Sequence, residues 1–357
     1  MNIITLIIRL FGPFAALYRS WYMSEVSRHE IGSIYDLHDL VWMNNWANTH
    51  GDIKPNIAMD YTAARYNGNY SISLYDAQKN KYDYLLNFTS GKTNMKILDL
   101  GCGWGNAMFH LNGLGHNVTG VTISQRQANF IKSRGGNVIV GDYRTNDIQN
   151  LFSDEKFDLI ISIGSFEHLN TIADAKHNRT YKNTHEQFIF WNRVLKADGV
   201  IYFQTMAYSD KGNKIMNRIS HNDDIVSHSI YADDDYILYY VQKFYQDASL
   251  VHTPVILQAL SDIGLKIVSI DSGVQDYIAT LIGWRKMTRE LTITQTVVVL
   301  YNAILYHPTQ YLLDSYESKS IKGQSTVFKR ELFDHWRIVL RKGTLVPPEP
   351  PSFQATK

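Results

Sequence analysis

The chain has 357 residues, a formal net charge of +1 and 45% hydrophobic residues, so it can bury a large core in one elaborated domain or in two. Its near-neutral charge, without a run of basic residues, argues against a nucleic-acid partner. Because Cys102 is the only cysteine, a disulfide framework and a thiolate zinc site are excluded, and we expect a reducing, cytoplasmic setting and no metal.

The N-terminal region, residues 1–65, is predicted to be helical and aromatic. Its first stretch, MNIITLIIRLFGPFAALYRSWYM, is apolar but interrupted by Arg9 and by Gly12-Pro13. The uninterrupted apolar runs are shorter than the roughly 20 residues of a membrane span, and we expect no signal peptide. Two interpretations stay open: a helix packed on the protein's own core, or an interfacial helix at a membrane surface.

From residue 94 onwards, strand and helix signals alternate. Helical patterns at 103–114, 124–133 and 185–195 separate apolar runs of strand length, and Ser124 is placed to cap the second helix. This alternation predicts a mostly parallel sheet that is covered by helices on both faces. The predicted strands are MKILDL at 95–100, NVTGVTI at 117–123, NVIVGD at 137–142, FDLIISIG at 157–164 and VIYFQTM at 200–206.

Beyond the fifth predicted strand, the alternation of strands and helices is interrupted. Residues 207–253 include a long polar stretch and predict an insertion over one face of the sheet. VILQALSDIGLKIVSIDS, at 255–272, predicts a helix, a glycine turn and a strand, and HWRIVLRKG, at 335–343, predicts a strand that closes the sheet at an edge. The proline-rich residues 346–357 predict a disordered tail.

The stretch ILDLGCGWGN, at 97–106, places three glycines at alternate positions where the first strand ends. Glycines there let a ligand approach the backbone, and the following helix offers free N–H groups. A dinucleotide fits less well, because Asn106 stands where its fingerprint has the third glycine or an alanine. S-adenosylmethionine has no phosphate, and Asp99 suits its ammonium group. The loop therefore favours this methyl donor.

Seven motifs follow one another between residues 70 and 340. They are Tyr-Ser followed by AQKNKYDYLL, LDLGCGWGN, GVTISQRQ, GDYR, FDLIISIGSFEHL, DYIATLIGW and FKRELFDHWRIVL. Together they resemble the cyclopropane fatty acid synthase family, which includes the mycolic acid cyclopropane synthases. The resemblance covers roughly residues 66–342. It implies a Rossmann-like methyltransferase fold, with a mostly parallel seven-stranded sheet and helices on both faces.

The resemblance also implies a division of the chain. We expect an S-adenosylmethionine-binding core at 66–206, an inserted helical cap over the acceptor site at 207–253, and the rest of the core with the acceptor pocket at 254–345. The N-terminal region precedes the core, and the tail follows it.

The resemblance assigns donor-binding roles by position. Thr122 and Gln127, at the end of the second strand and on the next helix, are also placed to hydrogen-bond a ribose or a methionyl group. Taken alone, Gln127 would be read as a solvated helix residue, and the motif around it favours binding. The predicted donor-binding residues are Tyr70, Ser71, Asp99, Gly101, Cys102, Gly103, Gly105, Thr122, Ser124, Gln127, Asp142 and Tyr143.

In the family that the chain resembles, a bicarbonate ion serves as the base, held by Glu, His, Tyr and Cys side chains and an Ile backbone group. Glu167 and Tyr277 match the Glu and the Tyr. The strand that carries His-Thr-Ile in the family reads Gln204-Thr205-Met206 here, and Gln324 stands at the place of the Cys. A Gln amide can donate a hydrogen bond to an anion but lacks the acid–base character of His. We therefore expect a bicarbonate ion at this site only if the amides of Gln204 and Gln324 can bind it.

His168 is kept as a catalytic candidate beside Glu167, Tyr277 and Gln204. Because adjacent residues usually point apart, a structural hydrogen-bonding role is favoured for His168. Related plant alkaloid N-methyltransferases carry a Glu in place of Gly164, so this glycine favours the lipid-modifying branch.

Three functions follow as hypotheses. The favoured one transfers a methyl or methylene group to the double bond of an unsaturated phospholipid or other acyl lipid, with peripheral membrane contact and a cyclopropane or methyl-branched product. The second is N-methylation of a small amine with Glu167 as the base. The third is a binding module that keeps the donor fold without catalysis, which the intact donor loop disfavours.

If the N-terminal region meets lipid, the full-length chain should sediment with liposomes of neutral or anionic phospholipid. A chain that lacks residues 1–22 should sediment less, because it loses the apolar stretch. Co-sedimentation of both chains measures this. Equal sedimentation would favour the other interpretation, a helix packed on the protein's own core.

Overall fold

A seven-stranded sheet organises the part of the chain that the computed structural model describes, which is residues 60–219, 234–235, 237–238, 248–289 and 324–343. The N-terminal stretch at 1–59 and the predicted tail lie outside the described residues, as do parts of the predicted cap and of the C-terminal region. Among the described helices, none is long and apolar enough to cross a membrane.

The strands form where the apolar runs predict them. Those of the large sheet are β1 (Lys96–Leu100), β2 (Asn117–Thr122), β3 (Asn137–Val140), β4 (Phe157–Ile163), β6 (Leu195–Tyr208), β8 (Leu265–Ser272) and β9 (Phe333–Lys342). Two short strands, β5 (Asn170–Thr171) and β7 (Ala248–Ser249), pair separately. The large sheet has the order β3-β2-β1-β4-β6-β9-β8, in which only β9 runs antiparallel to its neighbours.

The position of β9 differs from the predicted edge strand. It lies inside the sheet, paired with β6 on one side and β8 on the other, so β8 forms the edge. Its central residues are buried on both faces, which an interior position explains and an edge does not. The order of the strands along the chain does not predict this position, because β8 precedes β9 in the sequence and β9 then lies between β6 and β8.

Nine helices with bounds in the described residues connect the strands or flank them, and residues 324–329 are helical as well. The nine are α1 (Leu74–Leu86), α2 (Asn106–Gly113), α3 (Gln125–Ser133), α4 (Asn146–Asn150), α5 (Ile172–Lys176), α6 (Thr180–Val194), α7 (Asp210–Ile219), α8 (Thr253–Asp262) and α9 (Val274–Arg289). The second of them starts later than the predicted Gly103, because the glycine loop before it adopts left-handed backbone that no helix continues.

The sheet buries an apolar layer on each face. Helices α6 and α8 cover one face, where Trp191, Phe203 and Leu260 belong to one core cluster. Helices α1, α2 and α3 cover the other, with Leu85, Met108 and Ile131. A third set of buried residues, the aromatic cluster, lies around the carboxyl end of β6. It contains Trp104, Met206, Tyr208, Tyr277, Trp284, Phe328 and Phe333 together with aliphatic side chains.

A buried guanidinium joins β9 to the segment before α1 and to the start of α9. Arg337 is 1% exposed and donates to Asp276 Oδ2 at 2.7 Å, to Asp271 Oδ2 at 3.2 Å and to the Ala64 carbonyl at 2.9 Å. A charge so deeply buried is tolerated only because these acceptors surround it. The contact therefore fixes three chain segments against one another.

Replacing Arg337 with Met should lower the free energy of unfolding by about 3–5 kcal/mol, because it leaves the buried Asp276 carboxylate without its cation. Urea denaturation measures the change. Lys92→Met is the matched control, since it breaks a half-exposed pair with Asp198 and should cost less than about 1 kcal/mol. Equal effects of the two variants would contradict the structural role of the guanidinium.

Candidate active site

A cavity opens at the carboxyl ends of β1 to β4, where the loops that follow these strands converge. Its position is the one that an open parallel sheet offers to a ligand. Nine of the predicted site residues line it, namely Asp99, Gly101, Cys102, Gly103, Thr122, Gln127, Asp142, Tyr143 and His168. Gly105 and Ser124 do not line the cavity; they are the N-caps of α2 and α3.

The glycine loop owes its shape to left-handed backbone. Gly101, Gly103 and Gly105 have φ values of 81°, 52° and 80°. The N–H groups of Gly101 and Cys102 both donate to the Val121 carbonyl, at 2.9 and 3.0 Å, which folds the loop back over β2. A Cβ on Gly101 would lie 2.3 Å from Ser165 Cβ, whereas one on Gly103 would meet no protein atom within 4 Å. Gly101 thus admits the neighbouring loop, and Gly103 leaves its space to a ligand.

Two buried carboxylates, Asp60 and Asp99, line the same cavity. Lys81, which is 0% exposed, places its ammonium 2.7 Å from Asp60 Oδ2, and the Tyr82 hydroxyl donates to the same oxygen. Burial and the nearby charge of Asp60 raise the pKa of Asp99 to about 7, although Lys81 opposes both. The pair makes one wall of the cavity acidic, which suits a cationic ligand.

The segment before α1 contributes residues that sequence reasoning missed. Asp60, Tyr61 and Thr62 line the cavity, whereas the predicted Tyr70 and Ser71 lie outside it on an exposed turn, Tyr70 being 52% exposed. Both segments offer a Tyr followed by a hydroxyl residue, so the dipeptide alone does not choose between them. The buried Lys81 selects the earlier one, since it draws Asp60 and Thr62 against α1.

Polar side chains at the end of β2 hold one another in place. Thr122 donates to Gln127 Oε1 at 2.8 Å, and the Gln127 N–H donates to Ser124 Oγ at 3.1 Å. Thr122 and Gln127 are buried and line the cavity. The N-cap therefore sets the direction of α3, and α3 in turn carries Gln127 to the cavity.

The loop after β3 is hydrogen-bonded to the loop after β4, and both loops line the cavity. Arg144 chelates the Asp142 carboxylate, with Nε at 2.7 Å from Oδ1 and Nη2 at 2.6 Å from Oδ2, and its Nη1 donates to the His168 carbonyl. The Tyr143 hydroxyl donates to the Ser165 carbonyl at 3.2 Å. Asp142, Tyr143 and Arg144 thus bind the loop that follows β4.

That loop, residues 164–169, carries Glu167 and is attached at several points. Ser165 donates to the Leu100 carbonyl at 2.7 Å, and the Gly164 N–H donates to the Gln204 carbonyl at 3.0 Å. The Met206 N–H donates to Glu167 Oε1 at 2.9 Å, so the carboxylate continues the β4–β6 ladder where the backbone of β4 has left it. The loop is held rigidly, and Glu167 with it.

The Glu167 carboxyl is 5% exposed, and its second oxygen, Oε2, has no hydrogen-bond partner among the described residues. Burial raises the pKa of Glu167 to about 7, although the hydrogen bond from Met206 opposes this. The neighbouring His168 is buried too, and burial with the charge of Arg144 lowers its pKa to about 4. The neutral imidazole lines the cavity, while its backbone anchors the loop.

The other predicted catalytic residues are placed differently. Tyr277 lies in the aromatic cluster, with its ring centroid 5.1 Å from that of Phe328. Gln204 is buried, and its amide is engaged at both ends, since Nε2 donates to the Ala63 carbonyl at 3.0 Å and Oε1 accepts from Tyr202 at 3.3 Å. Both ends of the Gln204 amide thus have a partner within the protein, and bicarbonate binding stays a prediction.

Gly103→Ala should abolish binding of S-adenosylmethionine, because the new methyl group enters the space that the loop leaves open. Gly115→Ala is the matched control: it has the same left-handed backbone, with φ of 84°, and open space around a Cβ, but lies outside the cavity. Both should lose roughly 1–2 kcal/mol of stability, and calorimetry should show lost affinity only for Gly103→Ala. Unchanged affinity in a folded Gly103→Ala protein would show that S-adenosylmethionine does not bind against this loop.

Known proteins share part of this sequence. Cyclopropane mycolic acid synthase 2 of Mycobacterium leprae is 32% identical over 148 residues, which are 39% of this chain and 46% of that protein. Cyclopropane-fatty-acyl-phospholipid synthase of Escherichia coli strain K12 is 30% identical over 139 residues, which are 38% of this chain and 32% of that protein. The chain thus spans less than half the length of these curated relatives.

Solved structures share the fold. The cyclopropane synthase MmaA2 of Mycobacterium tuberculosis matches 88% of this chain and 99% of its own, with a TM-score of 0.65 and 20% identity. Mycolic acid cyclopropane synthase CmaA1, complexed with SAH and CTAB, matches 89% and 100%, with a TM-score of 0.65 and 21% identity. The model of the mycolic acid cyclopropane synthetase family matches residues 34–320. The chain therefore belongs to the mycolic acid cyclopropane synthetase family and has its Rossmann-like fold.

Proposed function

We propose that the protein is an S-adenosylmethionine-dependent methyltransferase that acts on the double bond of an unsaturated acyl chain. The observation that carries the proposal is the Glu167 carboxyl, which is buried and has one oxygen unpartnered among the described residues. It accepts from Met206 of the aromatic cluster, and its neighbours Ser165 and His168 line the cavity. Membership in the family supports the same chemistry.

The cavity fits the methyl donor. S-adenosylmethionine would bring an ammonium and a sulfonium group, and the acidic wall of Asp60 and Asp99 complements positive charge. Gly103 leaves room against the backbone, and Thr122 and Gln127 present hydrogen-bonding groups at the end of β2. When bound, the donor supplies an electrophilic methyl group that needs no activation by the protein.

The acceptor chemistry calls for a dry site that tolerates a cation. An alkene that takes up a methyl group becomes a carbocation, which water would capture. Glu167 supplies a negative charge in its carboxylate form, and the rings of the aromatic cluster, those of Tyr277, Phe328 and Trp284, supply the faces that attract a cation. These groups stabilise the charge that develops during transfer.

The insertion at 207–253 is proposed to cover the acceptor. Its described part adds buried aliphatic side chains to the aromatic cluster, namely those of Ile215, Met216, Ile237, Leu238 and Leu250. These apolar neighbours support an acyl chain over the alternative of a small amine, which would need polar partners of its own. The acyl lipid would be met from the cytoplasm at the membrane surface, with the N-terminal region as the proposed contact.

The function is tested by incubating the protein with methyl-labelled donor and a total lipid extract. Label should appear in acyl chains, and mass spectrometry should show one added methylene unit per modified double bond. At saturating donor, turnover should rise about tenfold between pH 6 and pH 8, because the Glu167 pKa near 7 makes its carboxylate form increase over that range.

Glu167→Gln is the matched variant, since its amide oxygen can still accept from Met206. Turnover should fall roughly 10²- to 10³-fold and lose its pH dependence, while donor affinity stays within about twofold. Label in an amine instead of lipid would refute the acyl acceptor. Full turnover in the Gln variant would refute the role of the carboxylate.

A further inference from the structure

One wall of the cavity carries more acidic groups than basic ones. Asp60 and Asp99 are both buried and line the cavity, and the buried Tyr82 lines it with them. Lys81, next to Tyr82 on α1, is the cation whose charge acts on Asp99 within the described part of the chain. These four side chains form the acidic cluster, in which two carboxyl groups share a single ammonium.

The acceptor positions of the Asp60 carboxylate are already filled from within the protein. Its Oδ1 accepts from the Thr62 N–H at 2.9 Å and from the Thr62 hydroxyl, and its Oδ2 accepts from Lys81 at 2.7 Å and from the Tyr82 hydroxyl. A carboxyl group that accepts four hydrogen bonds has no position left for a proton of its own. Asp60 is consequently ionised and has no free acceptor for a ligand.

The hydrogen-bonding capacity of the Lys81 ammonium is filled in the same way. Its N–H groups donate to Asp60 Oδ2, to Gln78 Oε1 at 2.7 Å and to the Thr62 hydroxyl. An ammonium has three donors, so none is left for Asp99. Lys81 and Asp60 thus form a closed ion pair, and their charges act on Asp99 without a hydrogen bond to it.

Asp99 is the member of the acidic cluster that remains available to a ligand. No described residue donates a hydrogen bond to its carboxyl group, and its partners in the neighbouring strands, Gly120 and Ile161, carry no charge. The Cys102 thiol stays neutral, because burial and Asp99 raise its pKa well above the usual value. Burial and Asp60 raise the pKa of Asp99 to about 7. Near neutral pH, its carboxyl therefore exchanges between a protonated and an ionised form.

We propose that binding of the methyl donor releases a proton from Asp99, and that Asp60 is the positioning residue whose charge keeps that proton in place beforehand; both statements rest on the proposed function. S-adenosylmethionine brings an ammonium group, and a nearby cation favours the charged form of a buried carboxyl group. The proton passes from Asp99 to solvent as the ammonium enters. The site thus exchanges one positive charge for another and avoids a buried carboxylate without a cation.

The exchange predicts how donor affinity depends on pH. Below pH 7 most Asp99 carboxyl groups carry the proton that the donor displaces, so affinity falls as the pH falls. The affinity for S-adenosylmethionine should be about fifteenfold weaker at pH 5.5 than at pH 7, and binding at pH 6 should release about 0.9 proton. At or below pH 7 the amino group of the donor itself stays charged.

Calorimetry on the unmodified full chain measures both quantities. Titrations with S-adenosylmethionine at pH 5.5, 6 and 7 give the affinities. Repeating the titration at pH 6 in two buffers of different ionisation enthalpy gives the number of protons released. Because these measurements need no substitution, they test the proposal even if a variant fails to fold.

Asp60→Asn removes the neighbouring negative charge and keeps the shape of the side chain. The pKa of Asp99 should fall, because Lys81 then opposes burial alone, and the change in affinity between pH 7 and pH 5.5 should shrink below about fivefold. Asp83→Asn is the matched control, since this carboxylate also lies on α1 but belongs to an exposed ion pair outside the cavity. Asp83→Asn should keep the fifteenfold change, as should Glu167→Gln, although burial also raises the pKa of Glu167 to about 7.

Wild-type affinity that is constant between pH 5.5 and pH 7, or binding without proton release, would overturn the proposal. An Asp60→Asn protein that keeps the full change would do the same. So would a Glu167→Gln protein that loses it, since the proton would then come from the loop after β4. If wild type binds no S-adenosylmethionine at any of these pH values, the proposed function fails and this proposal fails with it. Donor binding by wild type therefore separates the two failures.

Discussion

The hydrogen bond from the Met206 N–H to Glu167 is the contact on which the site depends. The Glu167 side chain takes the place of a neighbouring strand's carbonyl, so that the carboxylate is held at the end of the sheet. On one side lies a cavity with acidic and hydrogen-bonding walls. On the other lies a cluster of aromatic and aliphatic side chains. The carboxylate marks the boundary between the two, since neighbouring residues of its loop line the cavity and Met206 belongs to the cluster.

Buried charges hold this boundary in place. Lys81 fixes the segment that carries Asp60 and Thr62, Arg337 fixes the backbone of Ala64 just beyond it, and Arg144 fixes the loop that carries Glu167. Each cation is enclosed by acceptors, so each is costly to disturb. Since catalysis of this kind depends on groups that are oriented before the reaction begins, rigid electrostatic anchors serve function as well as stability.

The sheet could be predicted from the sequence because buried strands and helices leave periodic patterns. The left-handed glycine loop could be predicted because three closely spaced glycines after a buried strand are typical of a turn that admits a ligand. The place of β9 could not, since strand order is a tertiary property. The place of Tyr61 and Thr62 in the cavity lining could not be predicted either, because it depends on the buried Lys81.

The position of β9 has a consequence for how the protein folds. Among the described strands of the large sheet, β8 pairs with β9 alone, and β6 keeps an open edge until β9 arrives. Both pairings join strands that are far apart in the sequence, so we expect them to form slowly. Until they form, β6 exposes unpaired backbone groups that other chains can bind. The part of the cavity at the ends of β1 to β4 needs neither pairing, whereas the segment at 60–62 is anchored through Ala64 by Arg337 of β9. A nascent chain should therefore form the glycine-loop side of the cavity first, and complete both the cavity and the aromatic cluster only when β9 arrives.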